Sequence, residues 1–226
     1  MATNQITCST KTLQDKLKYN GVVLVDYTIE YPVFCSSCYK TCVTTVNEFY
    51  RNRALEFRRY CETELFDSAV AQYKDAILNS FPVRVFEALS VFVMTYMCGC
   101  IISLYNDRYE YTGGAHGNTL RESQTWDLSH CGVIDLATLA TCQPDFKTYI
   151  LSVVEQQIKK EPDLYFENYQ ELIAQTFSEQ NFYARKKGIV IYFQQYDIAP
   201  YSSGIREFLL PYSNCVVNPK TLCGAS

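Results

Sequence analysis

The chain has 226 residues, which is enough for one large domain or two small ones with a substantial core. Hydrophobic residues make up 48% of the chain and charged residues 19%, so the composition excludes an intrinsically disordered protein. The formal net charge is -4, from 20 basic and 24 acidic residues, and no basic run is present that could follow a phosphate backbone. We therefore expect no nucleic-acid partner.

The N-terminal segment, residues 1–21, is polar and lacks the apolar run of a signal peptide. No later stretch approaches the roughly 20 apolar residues that a membrane-spanning helix needs. We expect no transmembrane segment in this chain. A chain from which an export signal has been removed has the same appearance, so the pattern leaves the compartment open.

The N-terminal half predicts one strand and one long helix. Val22–Phe34 is rich in β-branched and aromatic residues and predicts a strand that ends near Pro32. Between Thr44 and Leu78, apolar residues follow the three-and-four spacing of a helix face, with no glycine or proline. We expect Phe49, Phe57, Tyr60 and Tyr73 to pack on an antiparallel sheet that includes Val83–Tyr96.

The remaining elements follow Pro82, which ends the helical region. The pattern predicts two long strands in 83–114 that are joined near Met97–Cys100 or continue through a bulge there. It further predicts a strand in 118–130, a turn and helix start in 131–140, helices in 144–160 and 166–177, two strands around Gly188, and a last strand in 205–212.

Strands and helices are segregated along the chain rather than alternating. This order predicts an α+β fold of antiparallel sheets, with a long helix in the N-terminal half and two helices in the C-terminal half. It argues against a doubly wound nucleotide-binding fold. We expect an N-terminal α+β half in 1–110 and a C-terminal α+β half in 111–226, packed together as one body.

The eleven cysteines are numerous for this length, and their odd number leaves at least one outside an intramolecular disulfide. Cys35, Cys38 and Cys42 have the spacing C-x2-C-x3-C, which suits a zinc ion if a fourth ligand comes from elsewhere, and equally suits local disulfides or thiols. No second ligand pair follows, so we expect no metal and no cofactor. Cys98 and Cys100 flank Gly99 in a strand-like run, and we expect no bond between them.

The stretch "YTGGAHGN", residues 111–118, places His116 among Gly113, Gly114 and Gly117. Glycines of this kind permit a sharp turn. Catalysis by a histidine needs a nucleophile and an orienting group nearby, and the only other histidine, His130, offers a weaker candidate. We interpret these four residues as a structural turn in which the buried His116 ring bonds to the backbone.

A second unusual stretch, "YDIAPYSSG", lies at residues 196–204 between predicted strands. One interpretation is a turn-rich loop whose tyrosines cap the core. The other is a binding loop, because an aromatic ring beside a rigid proline offers contact area at a low entropic cost. The residues alone leave both interpretations open.

These stretches, taken in order, resemble a family. "YTGGAHGN", "TWDLSHCGVIDLATL", "FKTYILSVVEQQI" and "FYARKKGIVIYFQQYDIAPYSSGIREFLLPY" are similar to the extracytoplasmic domain of the anti-sigma-V factor RsiV. A similar domain precedes the catalytic domain of PdaC-type peptidoglycan deacetylases and occurs in uncharacterised secreted proteins of Firmicutes. The motifs cover about residues 105–212, and "YTIEYP" at Tyr27–Pro32 resembles the family's opening strand.

The resemblance implies an exported, non-catalytic module of secreted or cell-surface location whose ligand is a lysozyme-like protein or a cell-wall glycan. The large number of cysteines departs from the family's usual pattern. We expect the ligand to contact one loop, formed by Ile198, Ala199, Pro200, Tyr201, Ser202, Ser203 and Gly204. The alternative is a cell-wall hydrolase that uses His116 with a nearby carboxylate such as Asp127 or Asp197.

Overall fold

The structure, a computed structural model, describes residues 6–224. These residues form nine strands, five α-helices and one π-helical segment. In chain order the elements are β1 (Ile6–Tyr19), β2 (Val22–Ser36), α1 (Lys40–Tyr60), the π-helical segment (Cys61–Leu65), α2 (Phe66–Asn79), β3 (Phe86–Cys98), β4 (Ile101–Tyr111), β5 (Asn118–Asp127), β6 (Gly132–Val133), α3 (Leu136–Leu139), α4 (Phe146–Ile158), α5 (Tyr169–Thr176), β7 (Phe182–Arg185), β8 (Gly188–Phe193) and β9 (Arg206–Pro211).

The long helix predicted in the N-terminal half is confirmed. Helix α1, the π-helical segment and α2 follow one another without a break and together span 40 residues. The helix ends at Ser80, whose left-handed backbone (φ 57°) stops the helical hydrogen-bond pattern. The observed ends lie within a few residues of the predicted Thr44 and Leu78, as expected when apolar periodicity extends over many turns.

The core of this region forms where the long helix covers the sheet. Phe57 and Cys61 from the helix pack in one buried cluster with Leu24 and Ile29 of β2 and Phe86 of β3. Of the predicted helix face, Phe57 is fully buried, whereas Tyr60 and Tyr73 are partly buried against the same cluster. Phe49 is half-buried and meets the Tyr50 ring edge-on, at 5.1 Å between centroids.

The sheets are mostly antiparallel, in agreement with the predicted fold class, but one pair is parallel. Strands β1 to β6 form one sheet in numerical order, and β7, β8 and β9 form a second. Strand β2 pairs with β3 in parallel, from Val25 opposite Phe86 to Ile29 opposite Ser90. A parallel pair requires a long crossover between its strands, and here the 40-residue helix provides it.

No local pattern in the sequence predicts strand β1. It pairs with β2 along its whole length in antiparallel register, from Ile6 opposite Ser36 to Tyr19 opposite Val22. Most of its side chains are exposed, so it lacks the apolar alternation by which strands are recognised. Backbone pairing rather than burial holds this edge strand, and its charged side chains suit an exposed sheet edge.

The three-stranded sheet lies in the C-terminal region. Every residue of its central strand β8 is buried, which explains the unbroken apolar run "GIVIYF". A Cβ atom at Gly188 would collide with the backbone oxygen of Leu210 on β9, so only glycine allows this close pairing. Helix α4 buries Ile150, Val154 and Ile158, as its periodicity predicts.

The chain divides into two compact units, and each unit consists of two separate stretches of the sequence. The first unit contains the residues up to Phe92 together with Asp107–Leu120, and the second contains Val93–Asn106 and the residues from Arg121 onward. The sequence predicts a single boundary near residue 110. Strands β3, β4 and β5 each contribute residues to both units, so the chain passes between the units three times.

None of the helices within residues 6–224 has both the length and the apolar character needed to cross a membrane.

Candidate functional site: a tyrosine loop between β8 and β9

The loop formed by residues 196–204, which we call the tyrosine loop, connects β8 to β9. The side chains of Ile198 and Ala199 are fully buried, whereas Pro200 and Ser202 are exposed and Tyr201 is half-buried. The predicted contact loop includes Ile198 and Ala199, and the structure buries both of their side chains. Their apolar side chains anchor the loop in the core and leave Pro200–Gly204 as its accessible part.

The base of the loop is held by Gln194, the residue that follows β8. Its side-chain oxygen accepts a hydrogen bond from the Arg121 backbone nitrogen (2.9 Å), and its side-chain nitrogen donates to the Arg121 carbonyl (2.7 Å). The Gln194 backbone N–H in turn donates to the Asp197 carboxylate at 2.7 Å. Strand β5, which carries Arg121, therefore fixes the point where the loop leaves the sheet.

Hydrogen bonds also hold the tip of the loop in place. Residues Tyr201–Ser203 form a single tight turn, in which Ser203 N donates to the Pro200 carbonyl at 2.9 Å and Gly204 N to the Tyr201 carbonyl at 3.0 Å. The Ser203 hydroxyl donates to the Leu164 carbonyl at 3.0 Å. Because the backbone is already fixed, little conformational entropy remains to be lost when a ligand binds.

The loop presents two aromatic rings next to each other. Tyr196 is 50% exposed, and its ring centroid lies 5.9 Å from that of Tyr201. The Tyr196 backbone is left-handed (φ 67°), a conformation that a bulky residue rarely adopts. Such a conformation costs energy and persists only where the surrounding structure enforces it. Residues of this kind are concentrated at functional sites.

Tyr165 and Arg206 support the loop from the segment before α5 and from the start of β9. The Arg206 guanidinium donates to the Tyr165 hydroxyl at 2.8 Å and lies 4.8 Å from the centre of the Tyr165 ring. A further hydrogen bond joins it to the Ser203 carbonyl at 3.3 Å. No local pattern links Tyr165 with Arg206, because 41 residues separate them, so the sequence does not predict this support. Tyr196 lies in the stretch that the sequence singles out, but outside the predicted contact residues.

The turn at 111–118 carries His116 on its surface, which corrects the expectation that the ring is buried. His116 is exposed, and its Nδ1 atom lies 2.9 Å from the Gly117 carbonyl oxygen. Gly113 has a left-handed backbone (φ 90°), whereas a Cβ atom at Gly114 would make only an ordinary contact, at 3.9 Å from the His116 carbonyl oxygen. Gly117 is buried, and a Cβ atom there would collide with the Tyr109 ring and the Glu110 carbonyl oxygen. The glycines therefore determine the turn.

The two carboxylates considered for the hydrolase alternative have other hydrogen-bond partners. Asp197 accepts from the Gln194 backbone, and burial raises its pKa although that hydrogen bond opposes the effect. Asp127 accepts from Ser129 and from the imidazole of His130. These hydrogen bonds join the two carboxylates to residues other than His116.

Four cysteines form disulfides: Cys100 with Cys223, and Cys142 with Cys215. Cys98 is a thiol, in agreement with the expectation that it does not bond Cys100. Cys35 and Cys38 are exposed thiols and Cys42 is a buried one. Within residues 6–224 no group of three histidine, cysteine, aspartate or glutamate side chains is arranged to hold a metal ion.

Two family models match this chain, one in each half. Residues 21–119 match the family described as "Deacetylase PdaC", and residues 140–213 match the family described as "Protein of unknown function (DUF3298)". The chain is therefore similar to one of these families over residues 21–119 and to the other over residues 140–213. The resemblance inferred from the sequence motifs is confirmed at this level.

Solved structures of DUF3298 proteins share the fold. A family member from Bacteroides fragilis NCTC 9343 is similar with a TM-score of 0.72 and 18% identity, over 93% of this chain and 92% of that chain. A DUF3298 family protein from Pseudomonas aeruginosa PAO1 gives a TM-score of 0.54 and 14% identity, over 96% and 95%. At these identities the likeness concerns the fold alone. A comparison with curated proteins finds no significant match.

Proposed function

We propose that this chain is a non-catalytic extracytoplasmic recognition domain that binds a lysozyme-like protein or a cell-wall glycan through the tyrosine loop. The observation that carries the proposal is the pair of adjacent, accessible rings of Tyr196 and Tyr201 on a backbone fixed by hydrogen bonds. Rigid tyrosines supply large contact areas with little loss of entropy, which is why they are frequent at binding hot spots.

The extracytoplasmic location is supported by the two disulfides. Disulfides persist in oxidising compartments and are rare in the reducing cytosol. Both bridges join residues far apart in the sequence, 123 residues for Cys100–Cys223 and 73 for Cys142–Cys215. Their presence agrees with the exported character that the family resemblance implies, although seven other cysteines are thiols.

The test is a binding assay of the purified protein against lysozymes and against muropeptides. Replacing Tyr201 with alanine should weaken binding by about 2 kcal/mol or more, equivalent to roughly a 30-fold increase in Kd. Because Tyr201 is half-buried, we also expect a small loss of stability, of about 0.5 to 1.5 kcal/mol, from its contact with Tyr196.

The matched control is Tyr149→Ala, which removes another half-buried tyrosine, on α4 and outside the loop. This variant should bind like the parent protein. If the wild-type protein binds a ligand of either class and Tyr201→Ala binds it with the parent affinity, the ligand contacts another surface. The hydrolase alternative would gain support if the wild-type protein released products from peptidoglycan and His116→Ala abolished this activity.

A further inference from the structure

A second site lies where β5 ends, away from the residues of the tyrosine loop. Asp127 is only 7% exposed, yet its carboxylate accepts several hydrogen bonds. One oxygen accepts from the backbone N–H and hydroxyl of Ser129, at 2.8 and 2.5 Å, and the other lies 2.7 Å from His130 Nδ1. Burial alone would raise the pKa of Asp127, but these hydrogen bonds outweigh it and hold the pKa below its usual value.

The ionised Asp127 orients the imidazole of His130. Because a carboxylate only accepts hydrogen bonds, Nδ1 must carry the proton that faces it. In the neutral ring, Nε2 is then an acceptor, and no group among residues 6–224 bonds to it. The His130 side chain is 77% exposed, so this nitrogen is accessible from solvent.

The His130 ring borders an open cavity of about 320 Å³. Its lining combines polar groups with an apolar wall: Asp127, His130, Gly132, Val133, Ile134, Asp135, Thr138 and Leu222. The volume lies at the lower end of the range for small-molecule sites, which is about 300 to 1,000 Å³. The cavity is therefore large enough for a small compound with an apolar part.

Carboxylates outnumber the basic side chains around this cavity. Asp135 precedes the short helix α3, but its side chain does not cap that helix, and no described residue forms an ion pair with its carboxylate. No lysine or arginine lines the cavity. The cavity is net negative whether His130 is neutral or protonated, because protonation compensates only one of the two carboxylates.

We propose that this cavity binds a small primary ammonium compound with a short alkyl body. The ammonium group would donate hydrogen bonds to the Asp135 carboxylate and to Nε2 of neutral His130, and the alkyl group would lie against Val133, Ile134 and Leu222. An anion would meet two carboxylates there and no lysine or arginine side chain to compensate them. The proposal is independent of the tyrosine loop and of any ligand that the loop binds.

The test uses proton NMR, because the chain contains only two histidines. The imidazole signals of His130 and His116 are assigned from His130→Gln and His116→Ala. Titration with n-butylammonium at constant pH and ionic strength should shift the His130 signals in a saturable manner. The His116 signals should stay in place and serve as an internal control. Neutral n-butanol should shift the His130 signals less, and n-butyrate should leave them unchanged.

Asp135→Asn removes the uncompensated charge without changing the shape of the side chain. It should weaken n-butylammonium binding by about two- to fivefold, the size expected of an exposed ion pair. Asp163→Asn, on an exposed turn outside the cavity, should bind like the parent. The proposal is overturned if n-butylammonium and n-butyrate shift the His130 signals equally, if no saturation occurs, or if the two variants bind alike.

Discussion

At the scale of single residues, the turn at 111–118 shows how a glycine determines the local structure because it has no side chain. Gly117 is buried, and the space that its Cβ atom would occupy is filled by the Tyr109 ring and the Glu110 backbone. A tyrosine ring can move, but a backbone carbonyl within a strand cannot move without disturbing its pairing. His116, the candidate catalytic residue of this stretch, is exposed, and its Nδ1 atom lies within hydrogen-bond distance of the Gly117 carbonyl oxygen.

We therefore expect two neighbouring substitutions to change the free energy of unfolding by very different amounts. Gly117→Ala should lower the free energy of unfolding by about 1 to 3 kcal/mol, the range for forcing an extra carbon into a packed site. His116→Ala should change it by less than about 0.5 kcal/mol, as is usual for exposed side chains. Urea unfolding of both variants measures the difference. Equal losses would mean that the His116 ring holds the turn.

At the scale of elements, the π-helical segment explains how one helix covers the core for 40 residues. Buried residues recur every four positions at Phe57, Cys61, Leu65 and Ala69. In a regular α-helix of 3.6 residues per turn, this spacing would carry the apolar stripe around the helix and away from the sheet. The wider turn at Cys61–Leu65 returns the stripe to the core, so the irregular segment has a packing reason.

The buried position of Cys61 leads to a prediction about thiol reactivity. Burial, with a smaller contribution from the charge of Glu110, raises the pKa of Cys61 to about 12, and the thiolate is the reactive form. In the native protein at pH 8, iodoacetamide should label the exposed Cys35 and Cys131 and leave Cys61 unmodified. Peptide mass mapping measures the labelled fractions, with urea-unfolded protein as the control in which Cys61 reacts. Early labelling of Cys61 would show that the helix opens at the π-helical segment.

At the scale of the whole molecule, the two disulfides lie in the second unit, which contains the tyrosine loop. Cys142–Cys215 joins the segment after α3 to the segment after β9, and an isolated bridge between Ala140 and Val216 lies beside it. A crosslink between such distant residues reduces the number of conformations that the unfolded chain can adopt. The second unit is thus stabilised covalently as well as by its core.

Removing this crosslink should cost stability. The double variant Cys142→Ala/Cys215→Ala should lower the free energy of unfolding by about 2 to 5 kcal/mol, the usual range for a native disulfide in a secreted domain. Cys35→Ser, which changes an exposed thiol in the first unit, should unfold like the parent. Hydrogen exchange followed by mass spectrometry should locate the loss of protection in the second unit. Protection lost mainly in the long helix would contradict this assignment.

The sequence predicted some parts of the candidate site and not others. The composition of residues 196–204 left open whether the loop binds a ligand or caps the core; in the structure Pro200 is exposed and Tyr201 is half-buried. The burial of Ile198 and Ala199 could not be read from the sequence, because an apolar residue in a loop is compatible with either contact or anchoring. The support from Tyr165 and Arg206 depends on residues brought together only by folding.

The sequence by itself determined the elements whose signal is local and repeated. The long helix, the strand β2, the hairpin of β3 and β4, and the helices α4 and α5 follow from periodicity and from glycine and proline positions. The tertiary structure decided what depends on distant partners: the polar strand β1, the parallel pairing of β2 with β3, the disulfide partners, and the cavity beside Asp127 and His130. Periodicity reports which face of an element is buried, but pairing energy arises between residues far apart in the chain, so no local pattern records it.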